Sequence, residues 1–231
     1  KGLGYDLLKR IIFYGGFVYG ITRSKSDLKK FQNLKNCKIF LGDVTNNKII
    51  KRLFKQSLKD KRIIHGFVNN AGQRQRKKFN SISQKDLKTL FDTNFFSIFE
   101  NMQLYSNYLI KKRNSGSIVN VGSIVGENGF SELSGYASTK TALIGLTKSF
   151  SKEMATHNIR ANLINPGFVK TSYFNKFKMK KKLYKWTLSR IPQKRWGEPI
   201  EVSNLICFLL SDLSDYINGA SINIDGGWTA S

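Results

Sequence analysis

A chain of 231 residues, 40% of them apolar, suits one α/β domain with a sizeable core rather than two domains. It holds no apolar run of about 18 residues, which argues against a membrane span, and no secretory signal is visible. The formal net charge of +24 would attract nucleic acid, anionic lipid or acidic partners, but lysine is spread along almost every segment and no DNA or RNA motif accompanies it. A compositional bias toward Lys, Asn, Ile and Phe therefore outweighs a selected nucleic-acid surface.

Apolar runs of strand length alternate with amphipathic helical stretches along the chain, with no linker or repeat between them, and this alternation is βαβ logic. The first predicted element is a helix over 3–14, ended by Gly15 and Gly16 where a left-handed cap is needed. Strands follow at 17–22 and 38–41, a helix at 48–58 and a strand at 63–69. The stretch 84–113 predicts a helix with a break near Asn94. A strand at 117–121, a helix over 135–156, a strand at 160–165, a helix at 200–211 opened by Pro199 and a strand at 221–224 complete the series.

The expected architecture is a single-domain α/β fold over 1–231, a Rossmann-type doubly wound parallel sheet with helices on both faces. In such a sheet the opening strand is central. This chain instead opens on Lys1-Gly-Leu-Gly4, which reads as the second half of a glycine-rich strand-to-helix turn. A first strand is thus expected to be missing, leaving a gap in the sheet with unpaired backbone groups beside it. Cys37 and Cys207 stand isolated with no metal or redox spacing, as buried free thiols of a reducing cytoplasm. His65 and His157 read as a strand residue and a helix-end residue rather than ligands, and no metal is expected.

The chemistry is concentrated in GSIVGENGFSELSGYASTK, from Gly122 to Lys140. If the chain is helical from Ser134, Tyr136 and Lys140 lie one turn apart on one face. An ammonium beside a phenol favours the phenolate and brings a pKa near 10 toward a range useful for general acid/base work, and Ser123 would then hold a substrate oxygen. Alone, Tyr-x-x-x-Lys is a weak signal, since such a pair can equally decorate a solvated helix face.

The other segments raise its weight. Gly2-Leu3-Gly4, Asp43-Val44, Asn69-Asn70-Ala71-Gly72, Asn94, Ser123, Tyr136, Lys140 and Pro166-Gly167 follow one another in the order seen in the short-chain dehydrogenase/reductase family, and the chain resembles that family from Lys1 almost to its C-terminus. The resemblance implies a catalytic set of Asn94, Ser123, Tyr136 and Lys140, in which Asn94 bends a helix and holds a water that connects Lys140 to solvent. It implies that Gly2, Leu3 and Gly4 bring a helix N-terminus to a pyrophosphate, that Asp43 and Val44 meet the adenine, and that Asn70, Ala71 and Gly72 line the adenine ribose side. Pro166, Gly167, Val169 and Thr171 would frame the nicotinamide, and Tyr136 and Lys140 would touch its ribose region.

An acidic residue after the second family strand would bind the ribose of NAD and repel NADP. Here that strand ends Gly20-Ile-Thr-Arg-Ser24, so Arg23 is available to a 2′-phosphate, with Lys1 as a second cation. NADP(H) is the preferred cofactor by this reading, with NAD(H) possible.

The expected activity is reduction of a carbonyl, or its reverse, with segment 171–196 as a substrate lid. Basic clusters at 74–78 and in the lid suit a 3-oxoacyl group on an acidic acyl carrier protein, while a sugar, sugar acid or polyol is the alternative small-molecule substrate. A non-catalytic nucleic-acid-binding protein on the same fold is the alternative of another class, set against by the intact catalytic set. The resemblance further implies a homotetramer built on helices 95–113 and 135–156, and Gly145 inside the second helix reads as a point of close packing, in a local contact or between subunits.

Overall fold

The computed structural model describes residues 2–31, 34–172 and 174–230. Its elements run α1 (Leu3–Phe13), β1 (Val18–Thr22), α2 (Lys25–Phe31), β2 (Cys37–Leu41), α3 (Asn47–Lys59), β3 (Gly66–Asn69), α4 (Gln84–Phe91), a π-helical turn (Asp92–Phe96), α5 (Ser97–Lys112), β4 (Gly116–Val121), α6 (Ser134–Met154), β5 (Ile159–Pro166), α7 (Phe174–Lys178), α8 (Lys181–Arg190), α9 (Pro199–Leu210) and β6 (Ser221–Ile224). Among the described residues the strands pair only in parallel, in two hydrogen-bonded pieces ordered β1-β2 and β3-β4-β5-β6. Among the described residues no ladder hydrogen bonds join β1 to β3. Tyr19 and Ile21 of β1 nevertheless pack against the same core as Phe67 of β3.

Alternation along β4 and β5 builds two apolar layers. Ile118 of β4, with Ala161 and Leu163 of β5, faces Leu53 and Phe54 of α3, Tyr105 and Leu109 of α5 and Leu143 of α6. Val119, Val121 and Ile164 face the other way, against Leu7 of α1 and Val202, Ile206 and Leu209 of α9. Successive strand residues point to opposite faces, so a sheet covered on both sides needs the near-continuous apolar runs seen here. Each such Leu or Ile contributes about 1.5–3 kcal/mol relative to exposure.

The helix starts follow from local chemistry. Ser83 and Asp86 close a reciprocal cap on α4, with the Asp86 N–H donating to Ser83 Oγ at 3.1 Å and the Ser83 N–H donating to Asp86 Oδ2 at 3.0 Å. Pro199 occupies the first turn of α9, inside a cap made by Glu198 and Glu201. The unforeseen α2 rests on the same Ser-x-x-Asp signal, since Ser24 Oγ accepts the Asp27 N–H at 3.1 Å.

Other expectations need correction. The third strand begins at Gly66 rather than 63, because the backbone of Ile64 is satisfied by two tyrosine hydroxyls, donating to Tyr108 at 3.2 Å and accepting from Tyr105 at 3.0 Å. His65 therefore precedes the strand and is exposed, whereas His157 ends a 3₁₀ turn after α6. Cys37 and Cys207 are free but only partly buried, with pKa values raised by that burial. Gly145 makes no close local contact among the described residues: a Cβ there would meet no atom of another element within 4 Å.

Candidate active site

Many of the residues expected to act lie where parallel strands end, the position at which open α/β sheets bind ligands. Arg23 follows β1, Asp43 and Val44 follow β2, Asn70 to Gly72 follow β3, Ser123 follows β4, and Pro166 and Gly167 close β5. Parallel pairing is what brings five such ends to one side of the molecule.

Ser123 caps a 3₁₀ turn (Ile124–Gly126), its Oγ accepting the Val125 N–H at 3.2 Å. Tyr136 stands in the first turn of α6 and Lys140 one turn further on. The Lys140 side chain is buried at 4% exposure and its Nζ donates to the Val121 carbonyl at 2.7 Å, 5.8 Å from the centre of the Tyr136 ring. Burial lowers its pKa from 10.5 to about 8.

The Tyr136 pKa is raised rather than depressed, chiefly because the phenol is buried, with the Ser123 hydroxyl and the Arg74 charge opposing that rise. This corrects the expectation that Lys140 would bring the tyrosine down. The Lys140 ammonium is directed at a backbone carbonyl under the ring, and the groups that favour the phenolate are Ser123 and Arg74.

Asn94 is fully buried in the π-helical turn. Its Oδ1 accepts the Gln73 N–H at 2.7 Å, and its Nδ2 donates to the Gln73 carbonyl at 2.8 Å and to Thr139 Oγ1 at 3.1 Å. Thr139 in turn donates to the Tyr136 carbonyl at 2.8 Å. Asn94 thus ties the loop after Gly72 to the helix that carries Tyr136 and Lys140, and a π turn is what swings its side chain to that loop.

The remaining residues fit a dinucleotide. Gly2 precedes α1 with φ at +66°, and a Cβ on Gly4 would come within 2.8 Å of Asn70 Nδ2, so a side chain would fill the approach to the helix N-terminus, where free N–H groups favour a phosphate. Gly2 lies against Thr171, and Gly72 lies against Asn94 and Lys140. Arg23 Nη1 is 3.4 Å from Asp43 Oδ2 on the exposed end of the site, while Asp43 Oδ1 accepts from the backbone and hydroxyl of Thr45 and its pKa is lowered by those bonds. Gly167 abuts Asp225 so tightly that a Cβ would lie 2.8 Å from the Asp225 Cα, and Val169 bridges to Gly197. Leu3 opens α1 and packs into the apolar layer beside Leu7, and Lys1 and Tyr173 lie outside the described residues.

Within 171–196, Phe174, Phe177, Tyr184 and Trp196 pack together and onto Phe168 and Trp228, which seats α7 and α8 beside the site. Sequence reasoning missed Gln73, Thr139 and Glu127. Thr139 was legible as the residue one turn after Tyr136. Glu127 was not: its carboxylate accepts from Asn165 at 2.8 Å and Asn223 at 2.7 Å, clamping the turn after Ser123 to the ends of β5 and β6.

Comparison with known proteins agrees with this geometry. A family profile described as "Enoyl-(Acyl carrier protein) reductase" matches residues 2–229. The chain is 39% identical over 188 residues, 81% of its length and 75% of the other, to a 3-oxoacyl-[acyl-carrier-protein] reductase of Thermotoga maritima. It is 32% identical over 232 aligned positions, 98% of its length and 90% of the other, to a 2-dehydro-3-deoxy-D-gluconate 5-dehydrogenase of Bacillus subtilis. A gluconate 5-dehydrogenase from Burkholderia cenocepacia solved with NADP and tartrate superposes with a TM-score of 0.91 at 25% identity, covering 100% of this chain and 92% of that one. Solved structures of this shape hold NADP in some cases and NADH in others. No helix among the described residues is long and apolar enough to cross a membrane. With a profile match across nearly its whole length, the α/β architecture of its solved relatives and NADP or NADH as their cofactor, the chain belongs to the short-chain dehydrogenase/reductase family and is an NAD(P)-dependent oxidoreductase.

Proposed function

We propose that the protein is an NADP(H)-dependent reductase of a 3-oxoacyl group carried on an acyl carrier protein, with Tyr136 as the proton donor. The observation that carries the chemistry is the meeting of Ser123 and Tyr136 above the buried ammonium of Lys140. When bound, the reduced nicotinamide supplies the hydride. Tyr136 gives its proton to the carbonyl oxygen and Ser123 donates a hydrogen bond to the same oxygen as charge develops there. Lys140 has ammonium donors left beyond Val121 for the ribose, and Asn94 keeps the loop of residue 73 in place beside the proton route from Lys140 to solvent.

Gly2, Leu3 and Gly4 would hold the pyrophosphate, Asp43 and Val44 the adenine, Asn70, Ala71 and Gly72 the adenosine ribose side, and Pro166, Gly167, Val169 and Thr171 the carboxamide. Arg23, unopposed by an acid on its own strand, favours the 2′-phosphate of NADP. Lys1 is proposed as a second phosphate contact on sequence grounds alone.

The 3-oxoacyl reading is supported by the 39% identity to the Thermotoga maritima reductase and by the lysines of α7 and α8, which with the loop of Arg74 to Lys78 give the site a basic rim suited to an acidic carrier. Segment 171–196 acts as the substrate lid. A second reading, oxidation or reduction of a sugar acid, is favoured by the resemblance over 98% of the chain to the Bacillus subtilis enzyme. A small-molecule carbonyl or alcohol is common to both, and the free thiols suit a reducing cytoplasm.

We also infer a homotetramer. Gly145 on the outer face of α6 and the exposed Phe96 of the π turn and Phe99 of α5 suit a second copy of the chain. Substrate choice is tested by following NADPH consumption with a 3-oxoacyl-acyl carrier protein beside a panel of keto-sugar acids. Rapid turnover of the thioester supports the first reading, turnover of the sugar acids alone moves it to the second, and salt-sensitive nucleic-acid binding without any turnover would favour a binding protein instead.

A further inference from the structure

Arg74 stands in a loop that is held by three residues, Asn94, Asp86 and Glu132, while its own side chain is left free. On one side, the residue 73 backbone is locked by both ends of the Asn94 amide. On the other, Gln75 Nε2 donates to Asp86 Oδ1 at 2.7 Å and Lys77 Nζ to Asp86 Oδ2 at 2.6 Å. The Lys77 N–H donates to the Glu132 carbonyl at 2.9 Å, and Arg76 pairs with the Glu132 carboxylate at 3.2 Å. Two of the cations in this loop, Arg76 and Lys77, are thus consumed by the fold. Arg74 is exposed and makes no ion pair or hydrogen bond among the described residues, although its charge is felt at the Tyr136 hydroxyl.

Arg74 follows by two residues Gly72, which lies against Asn94 and Lys140, and comes directly after the backbone that Asn94 holds, so its guanidinium, unpaired among the described residues, stands on an anchored loop at the rim of the candidate site. Arginine presents a planar fork that matches carboxylate and phosphate oxygens in pairs, and the surrounding bonds mean that only the side chain, and not the loop backbone, has to be ordered when an anion arrives. We propose that Arg74 is a specificity-determining residue that binds an anionic group of the substrate, a carboxylate or a phosphate ester, while the carbonyl lies at Ser123 and Tyr136. This rests on the reading of the site as a carbonyl reductase and names the charge its substrate must carry.

The two sources of such an anion are separable with matched pairs. One pair is a 3-oxobutanoyl thioester of pantetheine phosphate and the same thioester of pantetheine; the other is a keto-gluconate and its amide. Wild-type protein and the variants Arg74→Gln and Arg74→Lys would be compared by NADPH consumption, with NADPH affinity and thermal melting showing that each variant is folded. In one pair, wild type should prefer the charged member by about tenfold or more in kcat/KM, mainly through KM. Arg74→Gln should erase that preference and Arg74→Lys should keep part of it. The pair in which this happens identifies the anion as phosphate or carboxylate. If the charged preference survives in Arg74→Gln, or if both members of a pair fall alike, the proposal is overturned and the carbonyl-reductase reading stands. If neither member of either pair is turned over by wild type, both substrate readings fail and the proposal fails with them.

Discussion

At Tyr136 burial and charge act in opposite directions. Removal from water holds the proton on the phenol, while Ser123 and Arg74 favour its release. Lys140 carries the converse strain: burial lowers its pKa from 10.5 to about 8. Between those values the unfolded chain binds more protons than the folded one, so the penalty for burying the ammonium is full below about pH 8 and is relieved as pH rises toward 10.5. The unfolding free energy of wild type relative to Lys140→Met should therefore improve by up to roughly 3 kcal/mol across that interval. Urea denaturation at several pH values would show it, and a flat difference would mean that Lys140 titrates as an ordinary lysine. Arg23 bears on cofactor choice. Arg23→Ser should raise the KM for NADPH by about tenfold or more while leaving that for NADH little changed, since a charge-assisted phosphate contact is worth roughly 1.5–3 kcal/mol; equal changes for both would remove Arg23 from the phosphate site.

Among the elements, the π turn and the end of β5 make the tightest demands. Asn94→Ala strips two hydrogen bonds from the residue 73 backbone and leaves that loop unanchored on the catalytic side. A loss of about 1–3 kcal/mol in stability is expected from the unsatisfied groups, with a larger proportional fall in kcat, measurable by denaturation beside steady-state kinetics. Gly167→Ala forces a methyl against the Asp225 backbone and should cost about 1–3 kcal/mol by overpacking, visible as a lower melting temperature. Much of this was legible beforehand. The break near Asn94 could be read because the family that the chain resembles bends a helix at that position, and several strand ends because Gly and Pro punctuate them. The late start of β3 could not, since it depends on Tyr105 and Tyr108 reaching Ile64 from more than 40 residues away in sequence. The Glu127 clamp is of the same kind, linking residues 38 and 96 positions apart, and no local pattern encodes it.

For the whole molecule, the two apolar layers and the parallel register bring one set of strand ends together, and on this convergence rests the proposed site of residues spread from Gly2 to Thr171. The same packing leaves Gly145, Phe96 and Phe99 facing outward. Light scattering should report a tetramer, and Gly145→Arg should reduce it to smaller species; a wild-type monomer would contradict the assembly proposed here. The central claim is that Tyr136 gives the proton while a bound nicotinamide gives the hydride, and the most direct test compares NADPH oxidation by wild type and Tyr136→Phe on whichever carbonyl substrate wild type reduces. The variant should bind NADPH and melt as wild type does while its turnover falls by about 10²–10⁴-fold. Turnover within a few-fold of wild type would contradict it and move the proton donor to another group.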